Sequence, residues 1–173
     1  MKVLITTVPF AEKNQLPIEL LDELRIEYTL NPLNKRLTEN ELAEMAPDFD
    51  VIIAGTEPIT EFVMEKATKL KLISRVGIGL DSVDLLTANK RGIKVSYTPD
   101  APAPAVAELT IGLMITLLRS VQLSNIEMHK GEWKRYFGKR IANTTIGIIG
   151  LGRIGTAIAM RAKAFGMKIL SLF

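Results

Sequence analysis

Three glycines late in the chain have the spacing of a phosphate-binding turn. Gly150, Gly152 and Gly155 form Gly-x-Gly-x-x-Gly between the apolar run 146–149 and a helical pattern that starts at Thr156. In such a turn the first glycine permits a tight bend, the second lets the backbone approach a pyrophosphate, and the third lets helix and strand pack closely. The free N–H groups at the helix start favour an anion. The motif in this context predicts a dinucleotide site, and a purely structural glycine turn is the alternative.

The composition narrows the classes of function. The 173 residues are 47% hydrophobic and 24% charged and contain no cysteine, which excludes disulfides and thiolate metal sites. The first residues lack the pattern of a signal peptide. The sequence also contains no run of about 18 apolar residues, which a membrane span would need. A net charge of +3 is too small to indicate nucleic-acid binding. We therefore expect a cytoplasmic protein that binds neither membrane nor nucleic acid. The basic residues of one segment are interpreted as a solvated arm rather than a phosphate-backbone site: Lys130, Lys134, Arg135, Lys139 and Arg140.

The first hundred residues alternate short apolar runs with helical patterns. The joining segments, about ten to twenty residues long, imply parallel βαβ units with right-handed crossovers. We predict an α/β fold with an open, flavodoxin-like parallel sheet, and strands at 2–6, 25–30, 50–54, 70–75 and 93–97. Ligands bind beyond the carboxyl ends of such strands, so the loops 55–58 and 76–79 are candidate site loops.

Several residues mark helix ends. Thr38 and Glu41 have the spacing of a capping box, and Thr60 is predicted to cap the following helix. A further helix is predicted from Ser82 to Lys90, with Gly92 just beyond its end as the left-handed residue.

Three prolines between residues 98 and 104 predict a break in regular structure and a domain boundary. We assign residues 1–99 to one domain and residues 100–173 to a second. Residues 105–118 are apolar on nearly every face, which predicts a helix buried all round, between the domains or against a second subunit. The following polar arm, 119–139, holds the only tryptophan, Trp133. It either fills a gap in its own domain or anchors a second subunit, and we favour the anchor.

Four blocks of sequence resemble one family in order and spacing. From about residue 50 to the end, the chain resembles the D-isomer-specific 2-hydroxyacid dehydrogenases, especially the 3-phosphoglycerate dehydrogenase branch, at residues 74–84, 105–113, 131–133 and 147–155. The resemblance implies a flavodoxin-like substrate domain and a Rossmann domain that binds NAD, incomplete in this chain. It also implies hydride transfer between a nicotinamide cofactor and a 2-hydroxy or 2-oxo acid.

The resemblance also implies roles for individual residues. The backbone amides of Val76 and Gly77 would face the substrate carboxylate, with Thr56 in the neighbouring substrate loop. Ile78 would border the nicotinamide. Arg153 and Ile154 would cover the pyrophosphate beside the three glycines. The helix 105–118 and the Trp133 arm would form a homodimer contact.

The chain departs from the family pattern at three places. Residues 97–100 are Tyr-Thr-Pro-Asp where Asn-Thr-Pro-Gly is common, Pro102 stands where an asparagine is common, and residues 143–145 are Asn-Thr-Thr where Gly-Lys-Thr is common. These departures leave the 2-hydroxy acid open, and 3-phosphoglycerate is one candidate among several.

The family's catalytic arginine, acidic residue and histidine all follow the dinucleotide motif, so we assign none of them in this chain and no metal ligand. His129, the only histidine, is interpreted as an exposed residue, and Arg75 as a strand-end residue. No Asp or Glu occurs between residues 156 and 173, so the ribose anchor that separates NAD from NADP is not identified. We expect a dehydrogenase fragment that is inactive alone. The alternative is a non-catalytic paralogue that dimerises or binds a partner.

Overall fold

The computed structural model describes residues 1–172, and Phe173 lies outside the described residues. The chain folds as two compact units, Met1–Pro99 and Asp100–Phe173. The first unit alternates strands and helices: β1 (Lys2–Ile5), α1 (Leu16–Glu23), β2 (Glu27–Leu30), α2 (Glu39–Met45), β3 (Val51–Ala54), α3 (Glu61–Lys66), β4 (Leu72–Arg75), α4 (Leu85–Lys90) and β5 (Lys94–Tyr97).

The five strands form one parallel sheet with the order β2-β1-β3-β4-β5. This is the flavodoxin-like order, so the predicted fold class is confirmed. The chain winds outward from β1 to β2 and then returns past β1 to β3. The carboxyl ends of β1 and β3 therefore flank the point where the winding reverses, which is where ligands bind on such sheets.

Helices cover both faces of this sheet, which explains why its central strands are apolar without alternation. Leu4, Ile52 and Ile73 are fully buried on one face, in a cluster that includes side chains of α2 and α3. Val3 and Ile5, the neighbours of Leu4, point to the other face and pack against partly buried side chains of α1. The first unit thus closes its own core.

The predicted helix ends at Thr38 and Gly92 are confirmed. The Thr38 hydroxyl accepts the Glu41 amide, and the Glu41 carboxylate accepts the Thr38 amide at 2.8 Å. A hydrogen bond from Lys35, followed by that Thr38 amide, lowers the pKa of Glu41 to about 2. Gly92 has φ +69°, and the amide of the next residue, Ile93, donates to the Ala88 carbonyl.

Two other helix starts differ from the prediction. The Thr60 hydroxyl bonds to the Glu39 carboxylate of α2 and caps nothing, although Thr60 precedes α3. The helix predicted from Ser82 begins three residues later, where the Asp84 carboxylate accepts the Thr87 amide. Val83 is engaged in an isolated parallel bridge with Ile59, and that pairing holds this segment extended.

The second unit contains α5 (Pro102–Leu118), α6 (Val121–His129), β6 (Thr145–Ile149), α7 (Arg153–Ala164) and β7 (Lys168–Leu172). β6 and β7 pair in parallel, so β6, α7 and β7 form one βαβ unit. α5 packs against α7, and the Glu108 carboxylate of α5 accepts from the Arg161 guanidinium of α7 at 2.9 Å.

One prediction for the second unit is wrong. α5 starts at Pro102, so Pro102 and Pro104 do not interrupt it; the first amides of a helix have no intrahelical acceptor, and prolines there cost no hydrogen bond. Within the single chain α5 has an exposed face, on which Leu117 is 81% exposed, and its burial against a second subunit stays a prediction. The polar arm is helical in its first part, where α6 lies.

Within residues 1–172, no single helix combines the length and apolarity needed to cross a membrane. Only α5 and α6 taken together reach both, and the two are bent by 64°.

Candidate functional site

The glycine turn after β6 has the geometry of its motif. Gly150 has φ +89°, a value that favours glycine and that turns the chain at the end of the strand. A Cβ on Gly155 would collide with the Gly150 carbonyl, so α7 can approach the strand this closely only without a side chain there. A Cβ on Gly152 would meet no atom of the chain, which leaves the backbone at that position open.

Arg153 and Ile154 form the first turn of α7, whose leading amides have no acceptor within the helix. Arg153 is exposed, and its Nε donates to the Asp100 carboxylate at 2.5 Å. Asp100 is one of the residues at which the chain departs from the family pattern. An anion at this helix start would therefore meet free amides and a guanidinium that already has one acidic neighbour.

A second candidate region lies in the first unit, at the carboxyl ends of its three central strands. A cavity of about 160 Å³ is lined there by Thr6 and Thr7 after β1, by residues 55–57 after β3, by Arg75 and Val76 of β4 and the loop after it, and by Arg36. A larger cavity of about 530 Å³ beside α4 and β5 offers only Asn89 and Lys94 as polar side chains. The smaller cavity holds the denser set of polar and charged groups.

Two opposite charges are buried in the smaller cavity. Glu57 is 1% exposed, and its Oε1 accepts the Gly55 amide at 2.9 Å and the Thr6 hydroxyl. Arg75 is 9% exposed; its Nη1 donates to the Val76 carbonyl, and its Nε is without a hydrogen-bond partner among the described residues. The exposed Arg36 donates through Nε and Nη2 to the Thr56 carbonyl at 3.1 and 2.8 Å.

Sequence reasoning placed Arg75 only as a strand-end residue and did not select Glu57 or Arg36. The signal that could have selected Glu57 is its position, because it lies three residues after the buried strand β3, within the predicted site loop 55–58. The contribution of Arg36 comes from a loop that joins β2 to α2, and no local pattern indicates that it reaches Thr56.

The amides predicted to face the substrate carboxylate are both occupied. The Val76 amide donates to the Ala54 carbonyl at 2.8 Å, and the Gly77 amide donates to the Thr98 hydroxyl at 2.8 Å. These bonds continue the contacts of β4 with the strands on either side. The amides of Ile78 and Gly79 donate to no acceptor in the described part of the chain, so the open donors lie two residues further along.

Gly77 packs directly against the Arg75 side chain. It has φ +146°, and a Cβ at this position would collide with the Arg75 guanidinium. Glycine therefore suits residue 77 for two reasons, the positive φ and the close contact with the arginine side chain.

The structure thus brings Thr56 and Val76 together in one cavity, with Gly77 and Ile78 in the loop that continues from it. The remaining predicted residues, Gly150, Gly152, Arg153, Ile154 and Gly155, lie in the second unit. His129 is exposed on α6 as expected, with Nδ1 2.9 Å from the Asn125 carbonyl. Among residues 1–172, no group of three His, Cys, Asp or Glu side chains is placed to hold a metal ion.

Comparisons with known proteins agree with the motif blocks. The family described as "D-isomer specific 2-hydroxyacid dehydrogenase, catalytic domain" matches residues 3–166, a longer stretch than the resemblance from residue 50 predicted. The D-3-phosphoglycerate dehydrogenase of Methanocaldococcus jannaschii is 46% identical over 138 residues, which cover 78% of this chain and 26% of that protein. The hydroxypyruvate reductase of Thermotoga maritima is 39% identical over 155 residues, with coverage of 88% and 49%.

A solved structure shows the same arrangement of elements. The crystal structure of cofactor (NAD+)-bound 3-phosphoglycerate dehydrogenase from Entamoeba histolytica superposes with a TM-score of 0.82 at 30% identity, and covers 100% of this chain and 54% of that one. The chain spans about half the length, or less, of the relatives it matches. By its sequence blocks and its match over residues 3–166, the chain belongs to the D-isomer-specific 2-hydroxyacid dehydrogenases.

Proposed function

We propose that this chain is part of an oxidoreductase that moves a hydride between a nicotinamide cofactor and C2 of a small 2-hydroxy or 2-oxo acid. The observation that carries the proposal is the open glycine turn between β6 and α7, in a chain that belongs to a dehydrogenase family. Residues 1–99 would bind the acid and residues 100–173 the nucleotide.

In this proposal the cofactor phosphates lie over the glycine turn. Gly150 and Gly152 would let the backbone approach them, the first amides of α7 would donate to them, and Arg153 and Ile154 would cover them. Ile78 would border the nicotinamide ring. We propose NAD as the cofactor because the Entamoeba histolytica neighbour binds NAD+. NADP remains the alternative, since no acidic residue between 156 and 173 is available to select the ribose hydroxyl.

The substrate carboxylate would bind the amides that the structure leaves open. Ile78 and Gly79 replace Val76 and Gly77 as the proposed donors, because the latter two already donate to Ala54 and Thr98. Charge-assisted bonds from backbone amides fix a carboxylate without adding a charge to the site. Thr56 would border the rest of the acid from the neighbouring loop.

Hydride transfer at C2 also needs a group that exchanges the hydroxyl proton. His129 is the only histidine, and it lies exposed on α6 against the Asn125 carbonyl. We therefore propose that these 173 residues bind ligands without turning them over. A second candidate function, a dimerising paralogue without chemistry, is favoured by the exposed leucines of α5.

Cofactor binding tests the proposal directly. A titration with NADH, followed by its fluorescence, should show saturable binding. The substitution Gly152→Val should raise the Kd for NADH at least about tenfold, because the new side chain would occupy the space in which the pyrophosphate is proposed to bind. The chain has no atom near that position, so folding should be unchanged. Gly112→Ala, at another open glycine in α5, is the matched control.

The nucleotide site and the lack of turnover would be contradicted by different outcomes. Absence of saturable NADH binding, or equal binding by Gly152→Val, would refute the nucleotide site. Oxidation of NADH by the purified chain in the presence of hydroxypyruvate or other 2-oxo acids would refute only the proposed lack of turnover.

A further inference from the structure

The first turn of α7 carries an ion pair beside the place where the cofactor phosphates are proposed to bind. Nε of Arg153 donates to the Asp100 carboxylate, and the two side chains are exposed over 56% and 78% of their surface. Asp100 belongs to the second unit and lies two residues before α5, so the pair joins the starts of α5 and α7. This chain thus has a carboxylate at a position where the family pattern commonly has glycine.

Arg153 is the only charged side chain in this part of the sequence. Between residues 141 and 160, which include β6, the glycine turn and the first two turns of α7, no other residue is charged. Arg161, further along α7, already donates to the Glu108 carboxylate. Apart from the partial positive charge of the helix start, the attraction for a phosphate therefore comes from Arg153, and Asp100 offsets it.

A phosphate and the Asp100 carboxylate require the same donors. A guanidinium binds the oxygens of either group through its N–H groups, and an anion beside it reduces the positive charge that a second anion meets. A dinucleotide that binds over the glycine turn must therefore share Arg153 with Asp100 or displace it. Exposed ion pairs contribute little to stability, so this exchange of partners requires no rearrangement of the fold.

We propose that Asp100 competes with the cofactor phosphates for Arg153 and thereby weakens the binding of the dinucleotide at the glycine turn. This role rests on the proposed function, because it requires a pyrophosphate over the turn. It also extends that function, because the turn and the α7 amides account for binding, whereas Asp100 limits how tight the binding is. Glycine at residue 100 would leave the charge of Arg153 to the cofactor alone.

Two substitutions of Asp100 test the competition. Asp100→Asn keeps an oxygen that can accept from Nε of Arg153 but removes the negative charge, and Asp100→Gly removes both. In NADH titrations followed by fluorescence at low salt, each variant should lower the Kd by about threefold to tenfold. Asp48→Asn is the matched control, because Asp48 forms a similarly exposed ion pair with Lys69 in the first unit. This control should bind NADH as the unchanged chain does.

Two further measurements show whether the effect depends on Arg153. In the Arg153→Gln background, Asp100→Asn should change the Kd by less than about twofold, because no guanidinium remains to compete for. At 1 M NaCl, where the Debye length is about 3 Å, the gain in affinity of Asp100→Asn should also shrink. Circular dichroism should give the same spectrum for every variant, because both side chains of the pair are exposed.

The competition and the nucleotide site fail in different results. Equal NADH affinity of Asp100→Asn and Asp48→Asn, or a gain that persists in the Arg153→Gln background, would overturn the competition. Weaker binding by Asp100→Gly would overturn it as well, because Asp100 would then orient Arg153 for the phosphates. In each of these cases, saturable NADH binding by the unchanged chain still supports the nucleotide site. Absence of saturable binding by the unchanged chain would refute the nucleotide site itself, and the role of Asp100 with it.

Discussion

The two units of the chain are built from the same kind of parallel βαβ element but bury their apolar residues very differently. In the first unit, helices cover both faces of a five-stranded sheet, and the central strand residues are fully buried. In the second, two strands expose Ile149 and Leu172, and α5 exposes Leu109, Leu113 and Leu117. A parallel sheet is normally covered on both faces, and contiguous exposed apolar residues mark interaction surfaces. The first unit therefore buries its central strands within itself, whereas the second leaves apolar side chains of its strands and of α5 exposed.

The largest effect should come from a matched pair of leucine truncations. Leu4→Ala removes a fully buried side chain from β1 and should lower the free energy of unfolding by about 2–5 kcal/mol. Leu117→Ala makes the same chemical change at a residue that is 81% exposed in the single chain and, measured on dilute monomer, should cost less than about 1 kcal/mol. Urea unfolding curves provide both values. If both substitutions lowered the free energy of unfolding equally, the two units would not differ in how they bury these leucines.

Self-association is the next largest expected effect. We expect a homodimer in which the α5 leucines are covered by a second copy of the chain, with Trp133 beside them. Leu113→Glu should place a charge in that contact and raise the dimer Kd at least about tenfold. Leu86→Glu, at an exposed leucine of α4 in the first unit, is the matched control and should leave the mass unchanged. Light scattering that shows a monomer for the unchanged chain would contradict this expectation.

Packing inside the second unit can be tested at two glycines. Gly155→Ala forces α7 away from the Gly150 carbonyl and should cost about 1–3 kcal/mol of stability. Gly112→Ala, in the interior of α5 with no atom near the new methyl group, should instead stabilise the chain by up to about 1 kcal/mol. Thermal unfolding distinguishes the two signs, and a neutral Gly155→Ala would show that strand and helix are not in close contact.

The smallest effect concerns acid stability of the first unit. Because the folded pKa of Glu41 is about 2, below its ordinary 4.5, this carboxylate stabilises the fold above pH 4.5 and loses that contribution as the pH falls toward 2. Glu41→Gln should therefore show a smaller drop in urea midpoint between pH 7 and pH 3 than the unchanged chain. Glu44→Gln, an exposed neighbour on the same helix, should keep the full drop.

The features that sequence predicted well depend on neighbours along the chain. The capping box at Thr38, the turn at Gly92 and the five strands follow from residues a few positions apart. The crossover rules then leave few sheet orders, and the flavodoxin-like order predicted from among them is the one observed. The glycine turn belongs to the same class, because strand, turn and helix are consecutive.

The features that sequence missed depend on distant partners. The Thr60 hydroxyl finds Glu39, 21 residues away, and so does not cap its own helix. Val76 and Gly77 are predicted from the family pattern to face the substrate carboxylate, and that role stays a prediction; the pattern does not indicate that their amides donate to the Ala54 carbonyl and the Thr98 hydroxyl. The cavity of Arg36, Glu57 and Arg75 combines two loops with the end of β4, and no periodicity in the sequence indicates that they meet.

The backbone at Gly77 restricts how this chain can change over time. A side chain at residue 77 would meet the Arg75 guanidinium, which is the far end of a flexible side chain and can move aside, but the φ of +146° would stay strained for any residue other than glycine. Shortening Arg75 would remove the collision and leave that strain. We therefore expect glycine to persist at residue 77 whichever residue occupies position 75.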